Sequence, residues 1–367
     1  MDFPRMPIEA ESPEQLGYDR VRFNLTESSV RDRSFAELGV ALDNQLLCYT
    51  DHLGHPELRE LIARRAGPQF NADDVLLTAG AASALFIIAV TLLNPGDHLI
   101  VVRPNYATNI ETPRILKCEV SCIDLNFEQG FQLDLDKLAA AIRPTTRLLS
   151  LTQPHNPTGV AMSAETLRAV IAMAERVGAH VLVDETYRDM SFVEKTPLAA
   201  TLGERVISVS SLSKSYGVPG IRLGWILAGD AGLMHRFLCA KEQIGICGSV
   251  VDEAIGYQVY AGADAWLAES GGRLREAFAT VAAWMQREPL IEWVAPGGGC
   301  VCFPRIRDGV GVDPARFYAA LNNDHAAYVG PGHWFEMPDR YFRLGYGWPR
   351  SEELAGGLEA ISAALRA

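Results

Sequence analysis

Lys214 stands in the run Ser211-Leu-Ser-Lys214-Ser-Tyr-Gly217-Val-Pro-Gly220-Ile-Arg222-Leu-Gly-Trp225, where several reactive groups fall together. Ser211 and Ser213 flank the lysine, and Arg222 follows eight residues on. Hydroxyls, a guanidinium and a helix start make a binding site for a dianionic phosphate. Gly217 and Gly220 would let the backbone approach such a ligand closely. An amine beside a phosphate ester, in a partly desolvated site, can lose its proton and condense with a carbonyl. A lone lysine after a strand is ordinarily a solvated surface residue, so its company carries the argument here.

Three further clusters could serve the same site. In Thr152-Gln-Pro-His-Asn156-Pro157-Thr158-Gly159, proline and glycine set a tight turn at the end of a strand. Taken alone, that run is a turn and nothing more. In Val183-Asp184-Glu-Thr-Tyr187 an acid ends a buried apolar strand, which is costly unless it meets a positive partner. A protonated pyridine nitrogen is such a partner. Thr78-Ala-Gly80-Ala81-Ala82-Ser83 is a strand-to-helix turn of small residues, whose free backbone N–H groups suit a phosphate.

The elements that must position these clusters alternate. Strand-like runs at Val75–Thr78, His98–Val102, Glu119–Asp124, Arg147–Thr152, His180–Asp184 and Val206–Ser210 are separated by helical patterns, notably Ala81–Leu93 and Ala164–Val177. Near-continuous apolar strands between helices predict a mostly parallel sheet covered on both faces. Ligands collect at the carboxyl ends of such strands, where all four clusters fall. A chain of 367 residues exceeds one ordinary core and predicts two domains. Residues 1–45 read as irregular and charged, an N-terminal arm with part of a smaller α/β domain. Residues 46–250 form the large domain, and residues 251–367 complete the smaller one. In the latter, helices are expected over Asp252–Gly262 and Ala263–Arg287, a Gly-rich hairpin over Trp293–Ile306 and a helix over Ser351–Leu365.

The net charge of −12 argues against general affinity for nucleic acid or anionic membrane. The apolar stretch Ala81–Leu93 is too short to cross a bilayer. The N-terminus shows neither a signal nor a transit pattern, and seven cysteines without CxxC spacing read as reduced thiols. A cytoplasmic protein without a metal site is the expectation.

In this order and spacing, the four clusters resemble the fold-type I pyridoxal-phosphate enzymes, specifically the class I/II aminotransferases, from about Tyr49 to Arg343. The resemblance implies a three-layer αβα large domain with a mostly parallel central sheet, and a smaller α/β domain. It implies that Lys214 carries pyridoxal 5'-phosphate as a Schiff base and moves the proton between substrate and cofactor. Asp184 is implied to partner the pyridinium, and Asn156 and Tyr187 to bond the ring's 3-oxygen. Tyr106, in Arg103-Pro-Asn-Tyr106, matches the aromatic ring stacked on the pyridine. Gly80, Ala81 and Ala82 with Ser211, Ser213 and Arg222 match the phosphate cup. Tyr49 matches a tyrosine that reaches the neighbouring subunit's phosphate, which implies a homodimer with shared active sites. Arg343, in Tyr341-Phe-Arg343-Leu-Gly-Tyr, matches the clamp on the substrate α-carboxylate; Asn156 borders the same group. The implied reaction is ping-pong transamination of an L-amino acid and a 2-oxo acid.

One segment departs from the family pattern. Asn24-Leu-Thr-Glu27-Ser28-Ser29-Val30-Arg-Asp32-Arg33-Ser34 stands where a Gly- or Asn-containing turn is usual. It is similar to the corresponding stretch in arginine-acting relatives, the arginine oxidases and capreomycidine synthases. That similarity implies Asp32, or alternatively Glu27, as an acid for a basic substrate side chain. In the oxidases a nearby histidine serves oxygen or water chemistry; Ser34 falls there, and no histidine precedes His52. The bland alternative is a solvated charged arm. Three functions therefore compete: an aminotransferase, an oxidase, cyclase or eliminase acting on arginine or a related amino acid, and a non-catalytic binding protein. The intact set of Lys214, Asp184, Tyr106 and Arg343 stands against the last.

Overall fold

The computed structural model describes residues 2–367. After a short strand β1 (Phe23–Leu25), seven strands build the main sheet: β2 (Val75–Thr78), β3 (His98–Arg103), β4 (Glu119–Asp124), β5 (Thr146–Thr152), β6 (His180–Asp184), β7 (Val206–Ser211) and β8 (Gly224–Leu227). Their order is β2-β8-β7-β6-β5-β3-β4. Only β8 runs antiparallel to its neighbours β2 and β7; the other adjacent pairs are parallel. The mostly parallel αβα sheet is thus as the sequence predicts, except that β8 was not foreseen. It is four residues long, opens on a glycine and follows directly on the Lys214 run, so little marks it as a separate strand.

Alternation along each strand divides the core. Leu99, Val101, Leu148, Leu182, Ile207 and Ile226 pack beneath helices Gly80–Leu92 and Ala231–Gly245. Ile100, Val102, Leu149, Leu151, Val181 and Val183 face the other way, onto the helix Ala164–Glu175. That helix shows why the pattern works. Ser163 caps it by accepting from the Thr166 N–H, and Leu167, Val170, Ile171 and Ala174 line one face at helical spacing.

The remaining strands are β9 (Ile291–Glu292), β10 (Val301–Cys302), β11 (Arg305–Ile306), β12 (Ala327–Pro331) and β13 (Phe342–Gly345). A second sheet has the order β1-β12-β13-β10, with β1 parallel to β12. Leu25, Val329 and Leu344 of this sheet pack on Leu354, Leu358 and Ile361 of the helix Ser351–Ala364. Two expectations are corrected here. The stretch before residue 45 is not uniformly irregular, because Phe23–Leu25 is a strand whose Leu25 is fully buried. The region Trp293–Ile306 is not one hairpin, because β11 pairs with β9 and β10 joins β13 in the other sheet. Among the described residues, no helix is long and apolar enough to cross a membrane, no group of His, Cys, Asp and Glu could hold a metal ion, and all seven cysteines are free.

Candidate functional site

A cavity of about 470 Å³ opens at the carboxyl ends of β5, β6 and β7. Thr152 ends β5, Asp184 ends β6 and Ser211 ends β7, and all three line it. Ala81, Ala82, Tyr106, Asn156, Tyr187, Ser213, Lys214, Arg222 and Arg343 complete this part of the wall, with Glu27 and Asp32 beside them. Residues drawn from almost the whole chain therefore meet in one place.

Gly80, next to that wall, makes the close approach possible. Its φ is +77°, and a Cβ there would lie 2.3 Å from Nη2 of Arg222. Gly224 of β8 is equally constrained, since its Cβ would lie 2.7 Å from the Ala81 backbone nitrogen. These two glycines let the first turn of the helix, the end of β8 and the Arg222 guanidinium crowd into one cradle. Arg222 donates through Nη1 to the Pro219 carbonyl at 2.7 Å and to Ser213 Oγ at 3.4 Å. The expectation for Gly217 is corrected: a Cβ there would strike the Arg31 carbonyl at 2.3 Å, so this glycine admits the N-terminal segment. Gly220 faces open space.

Asp184 is buried at the cavity floor. Its Oδ1 accepts from the Thr186 backbone N–H at 3.0 Å and from Thr186 Oγ1 at 2.5 Å. Its Oδ2 has no hydrogen bond to the described residues. Burial raises its pKa, while the Thr186 bonds and Lys214 pull it back. The Lys214 amine likewise has no hydrogen-bond partner among the described residues. Burial lowers its pKa from the usual lysine range, and Glu27 opposes that shift. The backbone of the lysine is fixed by the Val30 N–H, which donates to the Lys214 carbonyl at 3.0 Å.

Arg343 is buried on β13 and donates to Asn156 Oδ1 at 3.1 Å and to the Thr26 carbonyl at 2.8 Å. Its Nε is buried without a partner. A guanidinium with a vacant donor, a buried acid with a free oxygen and an unpaired amine fit a ligand bearing a carboxylate, a basic nitrogen and a carbonyl. Tyr106 Oη donates to Glu9 Oε1 at 3.0 Å, and burial raises its pKa to about 12. Tyr187 is buried and lines the same cavity.

Glu27 follows β1 and is approached by Asn24 Nδ2 at 3.3 Å and Tyr18 Oη at 3.4 Å. Burial raises its pKa; Lys214 and Arg343 lower it and Glu14 raises it, so these groups share one electrostatic neighbourhood. Asp32 is held by Trp348, whose Nε1 donates to Oδ2 at 2.8 Å. Tyr49 does not line this cavity and is 82% exposed. Ser34 is turned away too, in a capping box with Glu37.

The sequence reading missed the segment that roofs the cavity. Short helices Pro7–Ala10 and Pro13–Leu16 bring Ile8, Glu9, Ser12, Glu14 and Tyr18 to its wall. They are anchored by Glu11, whose carboxylate accepts from Trp334 Nε1 and bonds His333 Nε2, each at 2.8 Å. A proline at the first position of each helix was the available signal. Thr186 was also missed, although it lies inside the Asp184–Tyr187 motif.

The family model described as aminotransferase class I and II matches residues 28–361. An aspartate aminotransferase of Pyrococcus horikoshii is 27% identical, over 89% of this chain and 85% of that protein. The capreomycidine synthase of Streptomyces vinaceus is 29% identical, over 99% and 94%. The arginine–pyruvate transaminase AruH of Pseudomonas aeruginosa is 33% identical, over only 54% and 51%. A solved pyridoxal-phosphate-dependent aminotransferase from Streptococcus suis superposes with a TM-score of 0.92 at 30% identity, covering 100% of this chain and 98% of that one. With the family's pattern spanning nearly all its length and the same fold beneath it, the chain belongs to the class I and II aminotransferases, enzymes of amino-group transfer whose cofactor is pyridoxal 5'-phosphate.

Proposed function

We propose that the enzyme transaminates an L-amino acid with a cationic side chain, passing its amino group to a 2-oxo acid. The carrying observation is the surplus of carboxylates in the cavity. Glu9, Glu14, Glu27, Asp32 and Asp184 line it, against Lys214, Arg222 and Arg343. Arg222 with Ser211, Ser213 and the Gly80–Ala82 turn would hold the cofactor phosphate, and Asp184 its ring nitrogen. Asn156 and Tyr187 would bond the ring's oxygen, with Tyr106 against its face. Arg343 would hold the substrate carboxylate. The four acids of the N-terminal segment then remain without cations, and a bound phosphate dianion adds to the imbalance. A positive side chain corrects it.

Pyridoxal phosphate, when bound, supplies the electron sink for breaking a bond at the substrate α-carbon. Lys214 would hold the cofactor covalently, and once displaced its amine would be the base that takes the α-proton and holds it for return. Arg343 fixes the substrate so that this proton faces the lysine.

Glu27→Gln is expected to lower kcat/KM for arginine, ornithine or lysine by about ten- to a hundredfold while changing that for alanine less than about threefold. Equal losses for both kinds of substrate refute the cationic reading. Because burial raises the Glu27 pKa, its charge forms at a higher pH than that of a solvated glutamate. The preference for cationic over neutral substrates therefore grows as pH rises through that pKa. Arg343→Lys keeps the charge but loses the two-pronged donor geometry. It is expected to cut kcat/KM for every amino acid by about a hundredfold, and an unchanged value excludes Arg343 as the carboxylate clamp.

The match to a capreomycidine synthase along nearly the whole chain favours a second reading, in which the same wall orients a cationic side chain for cyclisation, oxidation or elimination. Incubation with one amino acid and no oxo acid separates the two. Transamination consumes one molecule per active site and stops. Continued turnover, with oxygen uptake or ammonia release, moves the enzyme to the second class.

The reading includes a homodimer. Leu46, Leu47 and Tyr49 are each more than 70% exposed on one loop, an apolar surface suited to a second copy. Tyr49 then has a neighbouring cavity to enter; sedimentation as a monomer at working concentration counts against this part.

A further inference from the structure

We infer that Thr186 is a positioning residue for the cofactor: it occupies one oxygen of Asp184 and thereby reserves the other for the ring nitrogen. The terminal torsion of an aspartate is broad and nearly two-fold, so an unrestrained carboxylate presents either oxygen or neither squarely. Here both donors of Thr186, its N–H and its hydroxyl, converge on Oδ1 at 3.0 and 2.5 Å. Oδ2 is left without a bond to the described residues, and Asp184 lines the cavity.

Thr186 is itself held. It is 5% exposed, and its carbonyl accepts from Ser215 Oγ at 3.3 Å. Ser215 adjoins Lys214, so one short chain of bonds ties the acid to the segment bearing the lysine. Burial alone drives Asp184 toward its neutral form, and a neutral acid cannot hold a proton on the ring nitrogen. The charged groups around it are few. Lys214 favours its charged form, while Glu185 and Tyr187 follow it on the same segment. The Thr186 hydroxyl is therefore a principal support of the charged carboxylate, and the N–H alone would leave Oδ1 with one donor.

An ordinary turn-stabilising threonine would show the same bonds, and two variants separate the roles. Thr186→Val keeps the shape without the hydroxyl; Thr186→Ser keeps the hydroxyl. The readouts are the Kd for pyridoxal phosphate by dialysis, the pH midpoint of the bound cofactor's near-visible absorbance, and the melting temperature of the apoprotein. Thr186→Val is expected to bind pyridoxal phosphate at least about tenfold more weakly, a loss of about 1.4 kcal/mol. Its absorbance midpoint moves upward, because a ring nitrogen that loses its proton no longer repels the proton on the nitrogen shared with Lys214. Thr186→Ser restores both values, and apoprotein melting stays the same in all three. An unchanged Kd and midpoint in Thr186→Val, a Thr186→Ser variant as damaged as Thr186→Val, or an apoprotein of Thr186→Val that melts early or does not fold each overturns the proposal.

Discussion

Lys214→Ala is expected to reduce kcat by about 10⁴-fold or more and to abolish the near-visible absorbance of lysine-bound cofactor. Two separate contributions are lost with one side chain. In the proposed reading the amine is both the nucleophile that holds the cofactor and the base for the α-proton. Its burial without a hydrogen-bond partner among the described residues lowers its pKa, which favours the neutral form that can do either. No neighbour replaces it: the acids in the cavity cannot condense with a carbonyl, and the guanidinium groups of Arg222 and Arg343 are not condensable amines. The substitution leaves the local backbone its tie, since the bond from the Val30 N–H goes to the carbonyl of residue 214 and not to its side chain. The variant should therefore fold, bind pyridoxal phosphate through the phosphate cup and the acid, and remain inactive. Lys214→Arg sharpens the test, because it restores positive charge but not a condensable amine. Turnover above a hundredth of the wild-type rate in either variant would exclude the lysine from both roles.

The part of the cavity proposed to hold the cofactor was legible in the sequence because its constraints are local. Asp184 and Ser211 end strands whose apolar runs are unmistakable, and the turns after them are marked by glycine, proline and hydroxyl residues. A reader who knows only that ligands gather at strand ends is led to four clusters that meet in one cavity. The substrate end was legible in part. Glu27 and Asp32 could be named, but nothing local distinguishes a cavity wall from a solvated arm. That depends on β1 pairing with β12, about 300 residues further along the chain, and on Trp348 meeting Asp32. Glu9, Glu14 and Tyr18 were illegible for the same reason: two four-residue helices have no periodicity to read, and their place is set by Glu11 meeting His333 and Trp334. Strand β8 was hidden by brevity, and Thr186 by sitting between two more conspicuous residues.

Asp184→Asn is expected to lower kcat by about a thousandfold while weakening cofactor binding far less. The carboxamide has the same shape, and its oxygen can still receive both Thr186 donors at the position of Oδ1. What then faces the cavity in place of Oδ2 is an amide NH₂, a donor pointed at a ring nitrogen that can no longer keep its own proton. The electron sink is thereby weakened at the moment negative charge leaves the α-carbon, when fixed charge in a water-poor site matters most. Binding depends on it less, because the phosphate cup and Lys214 are untouched. Asp184→Glu tests position instead of charge. Its longer side chain moves the carboxylate off the Thr186 donors, so partial activity, between those of wild type and Asp184→Asn, is the expected result. A Glu variant as inactive as Asn means placement matters as much as charge, the outcome that would join this residue's role to that of Thr186. Full activity in Asp184→Asn would remove the acid from the chemistry and leave its burial at the end of β6 without a cause.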